Sequence, residues 1–119
     1  MTPFGERVRA LRRERGLSLK RMAADLQISA AYLSALEHGH RSRPSFALVQ
    51  QICAYFHIIW DEAEELQRLA ELSHPRVVID TAGLSAKATE LANRLAETIA
   101  ELPEPRVAEL LQQLGYPRK

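Results

Sequence analysis

Leu19-Lys-Arg-Met-Ala-Ala-Asp-Leu-Gln-Ile-Ser-Ala-Ala-Tyr-Leu-Ser-Ala-Leu36 is the stretch whose reading decides the fold. Its apolar side chains fall at Met22, Ala23, Leu26, Ile28, Leu33 and Leu36, on one helical stripe before Ile28 and on another after Ser29. Only Gln27-Ile28-Ser29 separates the two stripes, and Ser29 is placed to cap the second. Helices joined by so short a turn cross steeply, which is helix-turn-helix geometry. The small Ala23 suits the close crossing. The spacing therefore points to a DNA-binding unit.

Working outward, Thr2 can cap a first helix with Pro3 at its first position, where a missing N–H costs nothing. Phe4, Val8 and Leu11 give that helix its apolar stripe, and Gly16 ends it. Ser18 caps the second helix, Ser29 the third, and Gly39 terminates the third. A basic loop, residues 38–44, leads to Ser45, the cap of a fourth helix with Phe46, Val49, Ile52, Cys53 and Phe56 on its buried face. A fifth helix runs from Trp60 to Leu72, with Trp60 and Tyr55 anchoring the junction of helices four and five. Asp61, Glu62, Glu64 and Glu65 crowd its first turns, where the helix dipole favours anions, so they need no catalytic or metal role.

Beyond Ser73 the texture changes. Arg76-Val77-Val78-Ile79-Asp80 reads as a short strand. A lone strand needs a partner, and with no second strand in the chain the simplest one is the same segment of another copy. A long stripe follows at Leu84, Ala88, Leu91, Leu95, Ile99 and Leu102, then a last short helix marked by Val107, Leu110, Leu111 and Leu114. These C-terminal helices either pack back on the first five or build a homodimer interface from Val77, Val78, Ile79, Leu84, Leu91, Leu95 and Ile99. The strand and the long stripe favour the dimer. The expected fold is thus all-α: a five-helix domain over residues 1–73, then a dimerisation extension over residues 74–119 with one short strand and two helices.

The chain has 119 residues and a net charge of +1, but the charge is unevenly spread. Residues 1–60 hold nine Lys/Arg against four acids, and residues 61–119 seven against eleven. A basic front half suits a polyanion, and an acidic rear keeps away from it. No apolar run approaches the ~20 residues of a membrane span. The N-terminus has no secretory h-region, and the lone Cys53 suits a reducing compartment, so a cytoplasmic location and no membrane partner are expected. His38, His40, His57, His74 and Cys53 lack the close pairing of zinc ligands, so no metal is expected. No phosphate-cradling glycine loop and no serine beside a base is present, so neither an enzyme nor a cofactor is expected.

Ser18-Leu-Lys-Arg-Met-Ala-Ala-Asp-Leu, Ile28-Ser-Ala-Ala-Tyr-Leu-Ser-Ala-Leu-Glu-His-Gly39 and Arg43-Pro44-Ser45 together resemble the Cro/repressor-like, or XRE-family, helix-turn-helix domain. The resemblance covers roughly residues 4–72. It implies a transcriptional regulator, most often a repressor, that binds double-stranded DNA as a dimer with the third helix in the major groove. Ser29, Ala30, Ala31, Ser34 and Ala35 would then meet base edges. Ser18, Lys20, Arg21, Tyr32, His38, His40, Arg41 and Arg43 would reach the backbone or the minor groove. Three alanines and two serines replace the usual Arg, Lys, Asn or Gln forks, so direct readout should be weak. The resemblance also supplies Arg12 as the cation for Glu37, which stands where the helix dipole disfavours an anion. Removing either partner of that pair should cost on the order of 3 kcal/mol. Gln27 occupies a turn position where the family usually has glycine at positive φ. The plain third-helix face also leaves open a protein-interaction adaptor, or the antitoxin of a toxin–antitoxin pair, built on the same fold.

Overall fold

A computed structural model describes residues 1–41 and 43–115. The basic-loop residue Ser42 lies outside them. The chain divides into two compact units, Met1–Val77 and Val78–Lys119.

The first unit holds α1 (Pro3–Glu14), α2 (Leu19–Leu26), α3 (Ala30–His38), α4 (Phe46–Phe56) and α5 (Trp60–Glu71). Side chains start four of the five. Thr2, Ser18, Ser29 and Ser45 each sit in extended backbone and accept the N–H three residues on, satisfying one of the orphan donors of a helix start. The ends are sharp as well. Gln27, Gly39 and His57 close α2, α3 and α4 in the left-handed region, at φ of 62, 80 and 58°. Only glycine does this freely, so Gln27 and His57 hold strained backbone at the two tight turns.

Helix α1 packs on α3 and α5, α2 on α3 and α4, and α4 on α5. Phe4, Val8, Met22, Leu33, Val49, Ile52, Phe56 and Leu66 fill the space between them. Each such burial contributes about 1.5–3 kcal/mol, which outweighs any propensity term within these short helices. The α1–α3 approach is close enough to require Gly5, since a Cβ there would lie 2.2 Å from the Glu37 carbonyl oxygen. Thr2 N–H donates to that same carbonyl at 3.0 Å. Ser73 Oγ, anchored on the Leu69 carbonyl, accepts the Phe4 N–H at 2.9 Å and ties the end of α5 to the start of α1.

The second unit holds α6 (Ala86–Thr98), a 3₁₀ turn (Ile99–Glu101) and α7 (Glu104–Gln113). Ser85 caps α6 on the Ala88 N–H, so the helix starts two residues later than the stripe at Leu84 suggests. Neither helix has a fully buried residue.

The expected strand is overturned. Among the described residues there is no strand, and Arg76–Asp80 runs without regular structure, with Val77, Val78 and Ile79 exposed. The β-propensity of Val-Val-Ile expresses a fit to a pleated, half-buried surface. Without a second strand to supply that surface, the backbone gains nothing by extending. Two further expectations fail in the first unit. Phe46 is 66% exposed and Trp60 78% exposed, so neither anchors the core. Leu48 and Ile58 are buried beside the α4 stripe instead.

Candidate nucleic-acid interface

The geometry of α3 is set from behind. Leu33 and Leu36 insert into the core, and Glu37 next to them is fully buried. Nη2 of Arg12 on α1 lies 3.1 Å from both Glu37 carboxylate oxygens. A pair this dry is held only because each charge has the other. It fixes the rotation of α3 about its axis and turns the opposite face outward.

On that outward face Ser29 and Ala31 are exposed, and Ala30, Tyr32, Ser34 and Ala35 half-buried. Ser29 Oγ is spent on the Tyr32 N–H at 3.0 Å, which leaves Ser34 as the freer hydroxyl. The face is smooth and weakly polar, with no amide or guanidinium fork, and can lie close against a flat groove floor.

The structure brings His38 and His40 together at the C-terminal end of α3, and Arg41 beyond it reaches Tyr32 in the helix's first turn. The two imidazoles stack at 6.2 Å between centroids, and the Arg41 guanidinium sits 5.4 Å from the centre of the Tyr32 ring. This cation–π contact reduces the freedom of a loop arginine before it meets any ligand. His38 Nδ1 lies 2.9 Å from the Ser34 carbonyl, which only accepts, so Nδ1 carries the hydrogen. Nε2 of the neutral ring is then an acceptor, and His38 can donate to a phosphate only as the imidazolium. Arg43, later in the loop, is exposed.

Lys20 is exposed in the first turn of α2, with Ser18 Oγ accepting the Arg21 N–H beside it. Arg21 itself is engaged: its Nε donates to both oxygens of Asp25 at 3.2 and 3.1 Å. Asp25 also accepts the Tyr55 hydroxyl at 2.7 Å. The Tyr55 bond is the main cause holding the Asp25 carboxyl below its usual range; burial opposes it and Arg21 adds to it. Burial and then Asp25 push the Tyr55 hydroxyl up. The Asp25–Tyr55 bond joins residues 30 apart on α2 and α4, and no local pattern announces it. Arg15 was likewise silent in the sequence. Its guanidinium lies 5.0 Å from the centre of the Phe56 ring, and Nη2 donates to the Phe56 carbonyl at 2.9 Å.

Cys53 is buried, and burial pushes its thiol up, away from reactive thiolate. Among the described residues no group of three His, Cys, Asp or Glu could hold a metal ion, and no helix is long and apolar enough to cross a membrane.

The sequence is similar to those of known proteins. The chain is 49% identical over 53 residues to the HTH-type transcriptional regulator DdrOP3 of Deinococcus deserti, covering 44% of this chain and 40% of that one. It is 40% identical over 52 residues to the HTH-type transcriptional repressor RghR of Bacillus subtilis, covering 44% and 38%. It is 29% identical over 92 residues to the HTH-type transcriptional regulator SinR of Bacillus subtilis, covering 71% and 83%. The chain thus spans about two fifths of the length of DdrOP3 and RghR. No solved structure matches it. Residues 3–66 match the helix-turn-helix domain family, and with the capped α2–turn–α3 unit in place the chain belongs to that family, in its Cro/repressor-like (XRE) type.

Proposed function

We propose that the chain binds double-stranded DNA as a homodimeric transcriptional regulator, acting as a repressor. The observation that carries the reading is the α2–turn–α3 unit, locked from behind by Arg12–Glu37 and presenting a small-residue face flanked by cations. In this reading α3 enters the major groove, with Ser29, Ala30, Ala31, Ser34 and Ala35 toward base edges. Ser18, Lys20, Tyr32, His40, Arg41 and Arg43 reach phosphates, as does Arg21 once it exchanges Asp25 for one, and His38 when charged. Base edges are read weakly, so specificity leans on the Arg41–Arg43 arm and on DNA shape.

Residues 74–119 act as the dimerisation extension. Leu84 just before α6, Leu91 on α6 and Ile99 in the 3₁₀ turn are exposed and Leu95 on α6 is half-buried, in a unit too small to build a core alone. A second copy of the unit supplies the missing layer. Two α3 helices then meet successive major grooves about 34 Å apart.

The test is binding to random duplex DNA across a salt series. Neutralising about four phosphates per protomer gives a log–log slope of about −7 for the dimer. A slope near zero refutes the reading. The alanine-rich α3 face favours one alternative, an adaptor or antitoxin that keeps the motif as scaffold. Selection from a random DNA library separates the two, because the adaptor enriches no sequence.

A further inference from the structure

Helix α3 ends on two imidazoles, and the bonds around them fix what each can do. His38 Nδ1 donates to the Ser34 carbonyl, one turn back, at 2.9 Å. A carbonyl only accepts, so this bond persists whether or not the ring is charged. Any change of charge at His38 is therefore felt at Nε2, a lone pair on the neutral ring and an N–H on the imidazolium. Toward a phosphate oxygen the first repels and the second donates a charge-assisted hydrogen bond. Histidine is also the side chain whose ordinary charge change falls between about pH 5 and pH 8.

His40 bears on which ring holds the proton. The two rings stack at 6.2 Å between centroids with 30° between planes. Two imidazolium rings so close repel, so the pair takes up one proton at a time. His38 is the better holder. It stands in the last turn of α3, where the helix dipole favours a cation, and its Nδ1–H already has an acceptor. His40 lies past the Gly39 cap, and its ring makes no hydrogen bond among the described residues.

No carboxylate nearby claims that charge. Helix α3 packs on α1 and α2. Of the acids on these helices, Glu37 is closed off by Arg12 at 3.1 Å, Asp25 by Arg21 at 3.1 Å and Glu14 by Arg15 at 3.7 Å. Glu6 forms no ion pair with either ring among the described residues. The other charges of α1 and α2, Arg7, Arg9, Arg13 and Lys20, are positive, as are Arg41 and Arg43 in the loop. Thr2 and Pro75 border the Gly39 turn, and their neighbours are the Met1 amine, His74 and Arg76. A proton taken up at His38 therefore meets cations until an external anion arrives, and that anion's binding is what rewards it.

We propose that His38 makes DNA binding proton-linked. Acidification turns its Nε2 from an acceptor into a phosphate donor and tightens the hold on the duplex. The inference rests on the DNA reading above and adds one phosphate contact per protomer at low pH.

The test repeats the salt series on duplex DNA, with the full chain, at about pH 8 and about pH 6. The log–log slope should steepen from about −7 to about −9, the signature of one more phosphate per protomer in a dimer. At fixed ionic strength the affinity should rise at least about tenfold over the same interval. His38→Gln, at an exposed position, should give the same slope at both pH values. The double variant His57→Asn/His74→Gln controls for a general gain of positive charge and should steepen as the parent does. DNA binding that is intact at pH 8 but has the same slope at pH 6 overturns the inference and leaves the DNA reading standing. So does steepening that survives His38→Gln or disappears in the control variant. A slope near zero at both pH values refutes the DNA reading, and this inference with it.

Discussion

Replacing Glu37 by alanine should be the most damaging single polar change in the first unit. The Glu37 side chain is completely buried and that of Arg12 is 8% exposed. Alanine at 37 strands a guanidinium that cannot lose its charge and has no neighbouring carboxylate to turn to. The wild-type pair is already imperfect. One nitrogen, Nη2, serves both carboxylate oxygens, while Arg12 Nε is buried with no partner. Removing the carboxylate therefore leaves two unmet demands on the same side chain, and the cost should be about 3 kcal/mol. For a domain of this size each kcal/mol lowers Tm by about 4–8 °C, so the expected drop is about 12–24 °C.

The assay is thermal unfolding followed by circular dichroism, on Glu37→Ala, Arg12→Met and the double variant Arg12→Met/Glu37→Leu. A buried pair broken on one side is expensive, whereas replacing both partners by apolar groups of similar volume is near neutral. The double variant should therefore melt well above either single one. A drop below about 4 °C for Glu37→Ala, or a double variant as unstable as the singles, refutes the reasoning. The double variant should also bind DNA more weakly than its stability implies, because apolar contacts fix the rotation of α3 less tightly than a charge pair.

Three further outcomes follow from the same geometry. Gln27→Gly relieves a left-handed residue at φ 62° and should raise stability by up to ~1 kcal/mol in a denaturant titration; a clear loss would mean the side chain holds the turn. Gly5→Ala forces a Cβ against the Glu37 carbonyl and should cost about 1–3 kcal/mol, with the Thr2–Glu37 hydrogen bond lost first in amide exchange. Tyr55→Phe removes the main cause of the low Asp25 pKa, so the Asp25 carboxyl should titrate higher by NMR. A depressed carboxylate contributes stability that is present above its unfolded value and lost as pH falls through its folded value. The variant should therefore show less acid-induced loss from this site, and an unmoved Asp25 titration would remove Tyr55 as the cause.

What the sequence discloses here is what short-range chemistry controls. Ser18, Ser29 and Ser45 cap the helices they precede, because capping depends on a side chain and an N–H three residues away. The helix-turn-helix register is equally local, since it rests on two stripes and a three-residue break. Errors begin where a residue's fate depends on a distant surface. Val77-Val78-Ile79 has strand propensity but no second strand to complete it. Phe46 lies on the periodic face of α4, yet in the first turn of that helix it stands largely in water, where no neighbouring element covers it. Arg21 reads as a free phosphate contact until α4 delivers Tyr55 to Asp25 and makes a three-member network of it.

That network bears on how the proposed DNA face would work. A phosphate that recruits Arg21 must compete with a carboxylate already in contact and itself held charged by Tyr55. In Tyr55→Phe that carboxylate loses its second donor and binds Arg21 more tightly, whereas Asp25→Asn frees Arg21 outright. The two variants should therefore shift DNA affinity in opposite directions, Asp25→Asn upward and Tyr55→Phe downward. A pair of equal shifts would show that Arg21 plays no part in holding the duplex.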